Sequence, residues 1–114
     1  MGEYPTATIS ADVLMISVNG RLDMLSAPKL RDQILALVQG GNTRLVLDLS
    51  AVELIDSAGL GALISGLKAA RQANGRLEIA KPSKPVKAIL KLTNLDRVFD
   101  TSGSEDGGSG DPQA

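Results

Sequence analysis

The residues best placed to do chemistry lie in "ELIDSAGLGALISGL" (Glu53 to Leu67), where Asp56 and Ser57 stand together at the start of a helical pattern. A hydroxyl beside a carboxylate can act as a nucleophile or can accept a phosphoryl group. A nucleophile needs a base, and the chain has no His. Lys68 lies three turns further along the helix, too far for a Ser-Lys dyad. "GLGALISG" also lacks the strand-borne glycine fingerprint and the Lys-Ser/Thr of a phosphate-binding loop. As a phosphoacceptor, Ser57 needs no base of its own. A phosphoryl group there would add roughly −1.5 to −2 charge beside Asp56, with the helix N-terminus at hand. A structural role competes with this, because Asp and Ser are both favoured N-cap residues. The helical wheel alone leaves the two roles open. Asp23, which ends "GRLD" before a helix, should reach the same sheet edge and neighbour the pair.

The inventory excludes other chemistries. With no Cys and no His, disulfides, thiolate catalysis, Cys/His zinc sites and Ser-His-Asp hydrolysis are all out of reach. No cofactor is expected and no metal. Lys and Arg total 12 against 13 for Asp and Glu, a balance that argues against nucleic acid or an anionic membrane as partner. No basic leader followed by an apolar segment is visible, and the apolar runs fall far short of the ~20 residues that span a bilayer. The expectation is a cytoplasmic protein.

The elements that must position these residues follow from periodicity. At 114 residues the chain has room for one core, and with Tyr4 and Phe99 its only rings that core must be aliphatic. "TATIS" and "VLMISVNG" read as a hairpin. Ser26 as N-cap and Pro28 in the first turn open a helix carrying Leu30, Ile34 and Leu37, which Gly40-Gly41 stops. "RLVLDLS" reads as a central strand, the Glu53–Leu67 stretch as a second helix, and "RLEIA" as a shorter strand. Ser83 and Pro85 open a third helix with Val86, Ile89 and Leu90 on one stripe, followed by Leu95, Val98 and Phe99 as core contacts. From Thr101 onward no apolar residue exceeds Ala in size, which predicts a disordered tail over 101–114 after a domain over 1–100. The order β-β-α-β-α-β-α predicts an α/β fold: a mixed sheet of four to five strands with helices packed mainly on one face.

On the wheel of the second helix, Leu60, Leu63, Ile64 and Leu67 form a core-facing arc. Ala58, Gly61, Ala62, Ser65 and Ala69 form the opposite arc, bare of charge and bulk until Gln72. Both faces could be buried. In a domain this small, however, two-sided burial is hard to arrange, and the expectation is a docking face that a partner's backbone can approach closely. Interior glycines cost roughly 1 kcal/mol each relative to Ala, so Gly59, Gly61 and Gly66 call for a reason.

Three segments, "VNGRLDMLSAPKLR", "LVLDLSAVELIDSAGLGALI" and "KPVKAILKLTNLDRVF", in this order and spacing, resemble the STAS domain, and within it the bacterial anti-sigma factor antagonist (anti-anti-sigma factor) branch. The resemblance covers roughly Thr6 to Asp100. It implies a non-enzyme whose unphosphorylated form binds an anti-sigma factor that is also a serine kinase with an ATP-binding fold, releasing the sigma factor. Phosphorylation would switch binding off, and a PP2C-type phosphatase would restore it. The matching acceptor is Ser57. Asp23 and Asp56 match the positions beside it, and Gly59, Leu60 and Gly61 match the contact helix. Position 58 is Ala where some relatives carry a second Ser, and Arg21 stands where an acidic residue is frequent. The resemblance also admits other STAS roles, as a regulatory subunit of a lipid-transport ABC system or a stressosome component. The oligomeric state expected is monomer or weak dimer.

Overall fold

The computed structural model describes residues 3–102, which form a five-stranded sheet in the order β1-β2-β3-β4-β5. Strands β1 (Thr6–Ser10) and β2 (Val13–Leu22) make the expected antiparallel hairpin. Helix α1 (Ala27–Gln39) leads to β3 (Arg44–Ile55), α2 (Ser57–Gln72) to β4 (Arg76–Ala80), and α3 (Lys84–Leu92) with a short 3-10 turn (Leu95–Arg97) to β5 (Asp100–Ser102). From β2 onward every pairing is parallel, as helical crossovers require.

The sheet has one buried side. Ile16 and Val18 on β2, Leu45, Leu47 and Leu49 on β3, and Leu77 and Ile79 on β4 alternate onto it, all at most 2 % exposed. Leu30 and Ile34 of α1, Leu63 and Leu67 of α2, and Val86 and Leu90 of α3 complete a single aliphatic cluster, joined by Phe99. The side chains between them in sequence point to the other side of the sheet, where Met15, Ser17, Asp48 and Glu78 are half-buried and Val46 is buried. Gln33 is the one buried polar residue among the described residues. Its amide exchanges two 2.8 Å hydrogen bonds with the backbone of Tyr4, strapping the N-terminal segment to α1.

Three expectations need correcting. Glu53 to Ile55 belong to β3, not to a helix: β3 runs past the end of β4 and its last residues pair with β2 alone. Thr101 and Ser102, assigned from composition to the tail, form β5, because pairing with the free edge of β4 uses backbone groups and needs no apolar side chain. The remaining tail, 103–114, lies outside the described residues. Val98, expected in the core, is exposed, while Phe99 is buried.

The wheel of α2 is rotated from the expected one. Its buried residues are Gly59, Ala62, Leu63, Gly66, Leu67 and Ala70, so Gly59 and Ala62 face inward, whereas Leu60 and Ile64 are only partly covered. The glycines explain the rotation. A Cβ on Gly59 would overlap the Leu22 carbonyl oxygen and meet Ile55 Cγ1 at 3.0 Å, and one on Gly66 would lie 2.8 Å from Ile34 Cδ1. The helix rolls its small residues onto strand and helix neighbours so that backbones can approach. Gly61 is different, since a Cβ there meets nothing within 4 Å.

Gly59→Ala should therefore destabilise the domain by about 1–3 kcal/mol, because fixed backbone cannot yield to the methyl group. Gly61→Ala, on the same helix, should stabilise it by up to about 1 kcal/mol through propensity. Thermal unfolding followed by circular dichroism separates them: a Gly59→Ala variant no less stable than the wild type would refute the packing assigned to Gly59.

Candidate functional site

Parallel strands end at the same edge of a sheet, and here β2 and β3 end together. Arg21 pairs with Leu54 and Leu22 with Ile55. Each strand then turns into a helix, so the Asp23–Ser26 loop and the first turn of α2 emerge side by side. The junction is closed by backbone, with the Asp56 N–H donating to the Leu22 carbonyl at 3.2 Å. Two irregularities precede it in β2, and at the second Gly20 takes φ +76, a left-handed value that glycine adopts without strain.

Asp56 is the N-cap of α2. Its backbone is extended (φ −112, ψ −170), and its carboxylate accepts the Gly59 N–H at 2.9 Å. Capping is thereby assigned to one of the two candidates, and the other is released from it. Ser57 occupies the first helical position, exposed to solvent. The two sequence roles thus separate, with Asp56 structural and the Ser57 hydroxyl open to chemistry from outside.

The Asp23 carboxylate has its own work. Its Oδ1 accepts the backbone N–H groups of Leu25 at 3.0 Å and Ser26 at 3.3 Å. These two bonds, then that of the Ser26 hydroxyl, with the charge of Arg21 adding to them, hold its pKa below the ordinary carboxylate value of 3.8. Ser26 does not cap α1 with its side chain. Its Oγ turns back, donating to the Arg21 carbonyl at 2.6 Å and accepting the Asp23 N–H at 3.0 Å. Asp23 is therefore brought to the edge that holds Asp56 and Ser57, as expected, but the bonds its carboxylate makes organise its own loop. Between the clipped ends project Met24 and Leu25, 72 % and 81 % exposed. Sequence reasoning passed over this pair; two large apolar residues between an Asp and an N-cap, with no strand or helix to join, were the available signal.

Of the residues expected to form a docking face, Gly59 and Ala62 are buried and drop out. Gly61 is exposed, and Ala58, Leu60, Ser65 and Ala69 are part-exposed. The uncharged strip covers the first two turns of α2 and ends at the exposed Lys68. Among the described residues no cluster of acidic side chains is suited to a metal ion, and no helix is long and apolar enough to cross a membrane.

The family model described as the Mlab STAS domain matches residues 6–100. The chain belongs to the STAS family. Within it the chain groups with the anti-sigma factor antagonists. It is 29% identical over 96 residues to the anti-sigma-B factor antagonist of Bacillus subtilis, covering 83% of this chain and 86% of that one. An anti-sigma factor antagonist of Mycobacterium paratuberculosis superposes with a TM-score of 0.75 at 30% identity, over 93% of this chain and 91% of the other. The Bacillus cell fate determinant SpoIIAA shares the fold at lower identity. Its phosphorylated form gives a TM-score of 0.70 at 17% identity over 91% of this chain and 95% of that one. Its unphosphorylated form gives 0.64 at 19% identity over 83% and 96%.

Two measurements check the STAS site as built. Asp56→Ala should cost about 1 kcal/mol by orphaning the Gly59 N–H, and Asp56→Asn should restore most of it. In a carbon-detected NMR titration, Asp23 should titrate below 3.8. Because the folded pKa is depressed, its contribution to stability is present above the unfolded value and is lost as pH falls through the folded one. In Ser26→Ala the titration of Asp23 should move back up.

Proposed function

We propose that this STAS protein is an anti-sigma factor antagonist that works by partner switching, with Ser57 as the switch. Unphosphorylated, it binds an anti-sigma factor that is also a serine kinase with an ATP-binding fold, and the sigma factor is released. The kinase phosphorylates Ser57 and binding ends; a PP2C-type phosphatase resets it. The protein is a regulator and kinase substrate rather than an enzyme, works in the cytoplasm without a cofactor, and has neither nucleic acid nor membrane as partner.

The observation that carries this reading is the division of labour at the start of α2. Asp56 caps the helix, so modification of the exposed Ser57 leaves the cap in place. The added charge of roughly −1.5 to −2 would stand beside the Asp56 carboxylate, which already holds the Gly59 N–H, and near Asp23. The fold survives while the electrostatics of the edge change. A partner pressed against Gly61 and the part-exposed Ala58, Leu60 and Ser65 meets a flat neutral surface before the reaction and a concentrated anionic one after it. SpoIIAA, which shares the fold, has been solved in both phosphorylated and unphosphorylated forms, and the pair lends support to a switch of this kind.

Affinity capture from the native host with wild-type chain, Ser57→Ala and Ser57→Glu tests it. Ser57→Ala should retain an anti-sigma factor and resist phosphorylation. Ser57→Glu should bind it at least about tenfold more weakly, since uncompensated charge in an interface costs more than 1.4 kcal/mol. Equal binding by the Glu variant, or capture of an ABC ATPase in place of the anti-sigma factor, would overturn the proposal.

A further inference from the structure

The β2–α1 loop carries a feature that the switch at Ser57 does not require. Met24 and Leu25 are among the most exposed large apolar residues of the described chain, yet the loop that presents them is held at both ends. Asp23 Oδ1 takes the N–H groups of Leu25 and Ser26. Ser26 Oγ bridges the Arg21 carbonyl and the Asp23 N–H. The Ala27 N–H closes onto the Asp23 carbonyl at 2.7 Å. These hydrogen bonds, with a longer one from Ser26 Oγ to Asp23 Oδ1 at 3.4 Å, hold a loop whose side chains at the tip are left in water. A flexible loop would bring the same apolar surface to a partner only after losing its conformational freedom, whereas this one is ordered beforehand.

From this we infer that Met24 and Leu25 form a preordered apolar anchor that inserts into a hydrophobic pocket of the protein docking at Ser57, and that Asp23 and Ser26 are the positioning residues that aim it. The inference rests on the partner-switching reading. The anchor is continuous with the switch edge. Leu22, the residue before the loop, accepts the Asp56 N–H and lies against Gly59, while Leu54, paired with Arg21, adds an exposed apolar side chain at 45 %. Charge gives an anionic bilayer no net attraction here: Asp23 lies in the loop and Asp56 at the adjoining helix start, against the cations Arg21, which acts on Asp23, and Lys29, exposed on the first turn of α1. The pairing also gives the switch two parts: the anchor supplies apolar burial that phosphorylation does not alter, and Ser57 supplies the charge that overrides it.

The test measures Kd by calorimetry against the purified anti-sigma factor of the native host. Leu25→Ser should bind about tenfold more weakly and Met24→Ser severalfold, as residues of an interface centre do, with melting temperatures unchanged. Ser26→Ala, which leaves the anchor side chains intact, should bind about threefold more weakly and exchange the amide protons of Leu25 and of position 26 faster. Ser26→Thr and Asp23→Asn, which keep the accepting oxygens, should each stay close to the wild type in both. Wild-type affinity in Leu25→Ser, with Ser57→Glu still released, would overturn this inference alone. Failure of the wild-type chain to bind would overturn it together with the switch. Loss in Leu25→Ser of wild-type self-association, or of cosedimentation with phosphatidylcholine/phosphatidylglycerol vesicles, without a change in Kd for the anti-sigma factor, would assign the tip elsewhere and overturn it.

Discussion

Everything at the candidate edge depends on the parallel pairing of β2 with β3 being carried to its last residue. Leu22 stands opposite Ile55, and the Asp56 N–H then reaches the Leu22 carbonyl. That bond joins the two crossover connections at their starts. Without it, the loop carrying Asp23 and the helix carrying Ser57 would be separate surface features. With it, they form one edge. Gly59 belongs to the same constraint, because a side chain there would occupy the space of the Leu22 carbonyl and push the helix off the strand.

From that junction the chemistry divides among neighbours. Asp56 satisfies a backbone donor at the helix start, Asp23 and Ser26 satisfy the backbone of the adjoining loop, and Ser57 stands exposed at the first helical position. The hydrogen bonds found for each carboxylate go to its own turn, which lowers the pKa of Asp23 and ties both turns down. A rigid edge suits recognition, since ordering is complete before a partner arrives.

Much of the architecture was legible beforehand. Alternation in "RLVLDLS" and helical spacing in "APKLRDQILALV" depend on local period alone, so the hairpin, the helices and the mixed sheet emerged in their right order. Asp56 and Ser57 stood out through residue type at a helix start, and Asp23 through its place at the end of a strand. The exposed strip of α2 was legible only in part. The wheel weighted Leu60 and Ile64 as core because they are large, whereas α2 sits close to the sheet through Gly59, Ala62 and Gly66. Hydrophobicity ranks a glycine low, but close packing selects it, and no local pattern reports which neighbour's backbone will lie against it. The same blindness hid Met24 and Leu25, because a loop has no period from which exposure can be read.

The chain by itself determined the class of fold, the aliphatic core, the exclusion of thiol and imidazole chemistry and of Cys/His zinc sites, and the presence of one hydroxyl beside a carboxylate at a helix start. These follow from inventory and from periods of two and 3.6 residues, which are local properties. The tertiary structure alone decided which of Asp56 and Ser57 caps the helix, which way α2 is rolled, and that the Asp23 loop lies against it. Those outcomes depend on contacts between residues some thirty positions apart, such as Leu22 with Asp56 and Gly59, and such contacts exist only once the strands have paired.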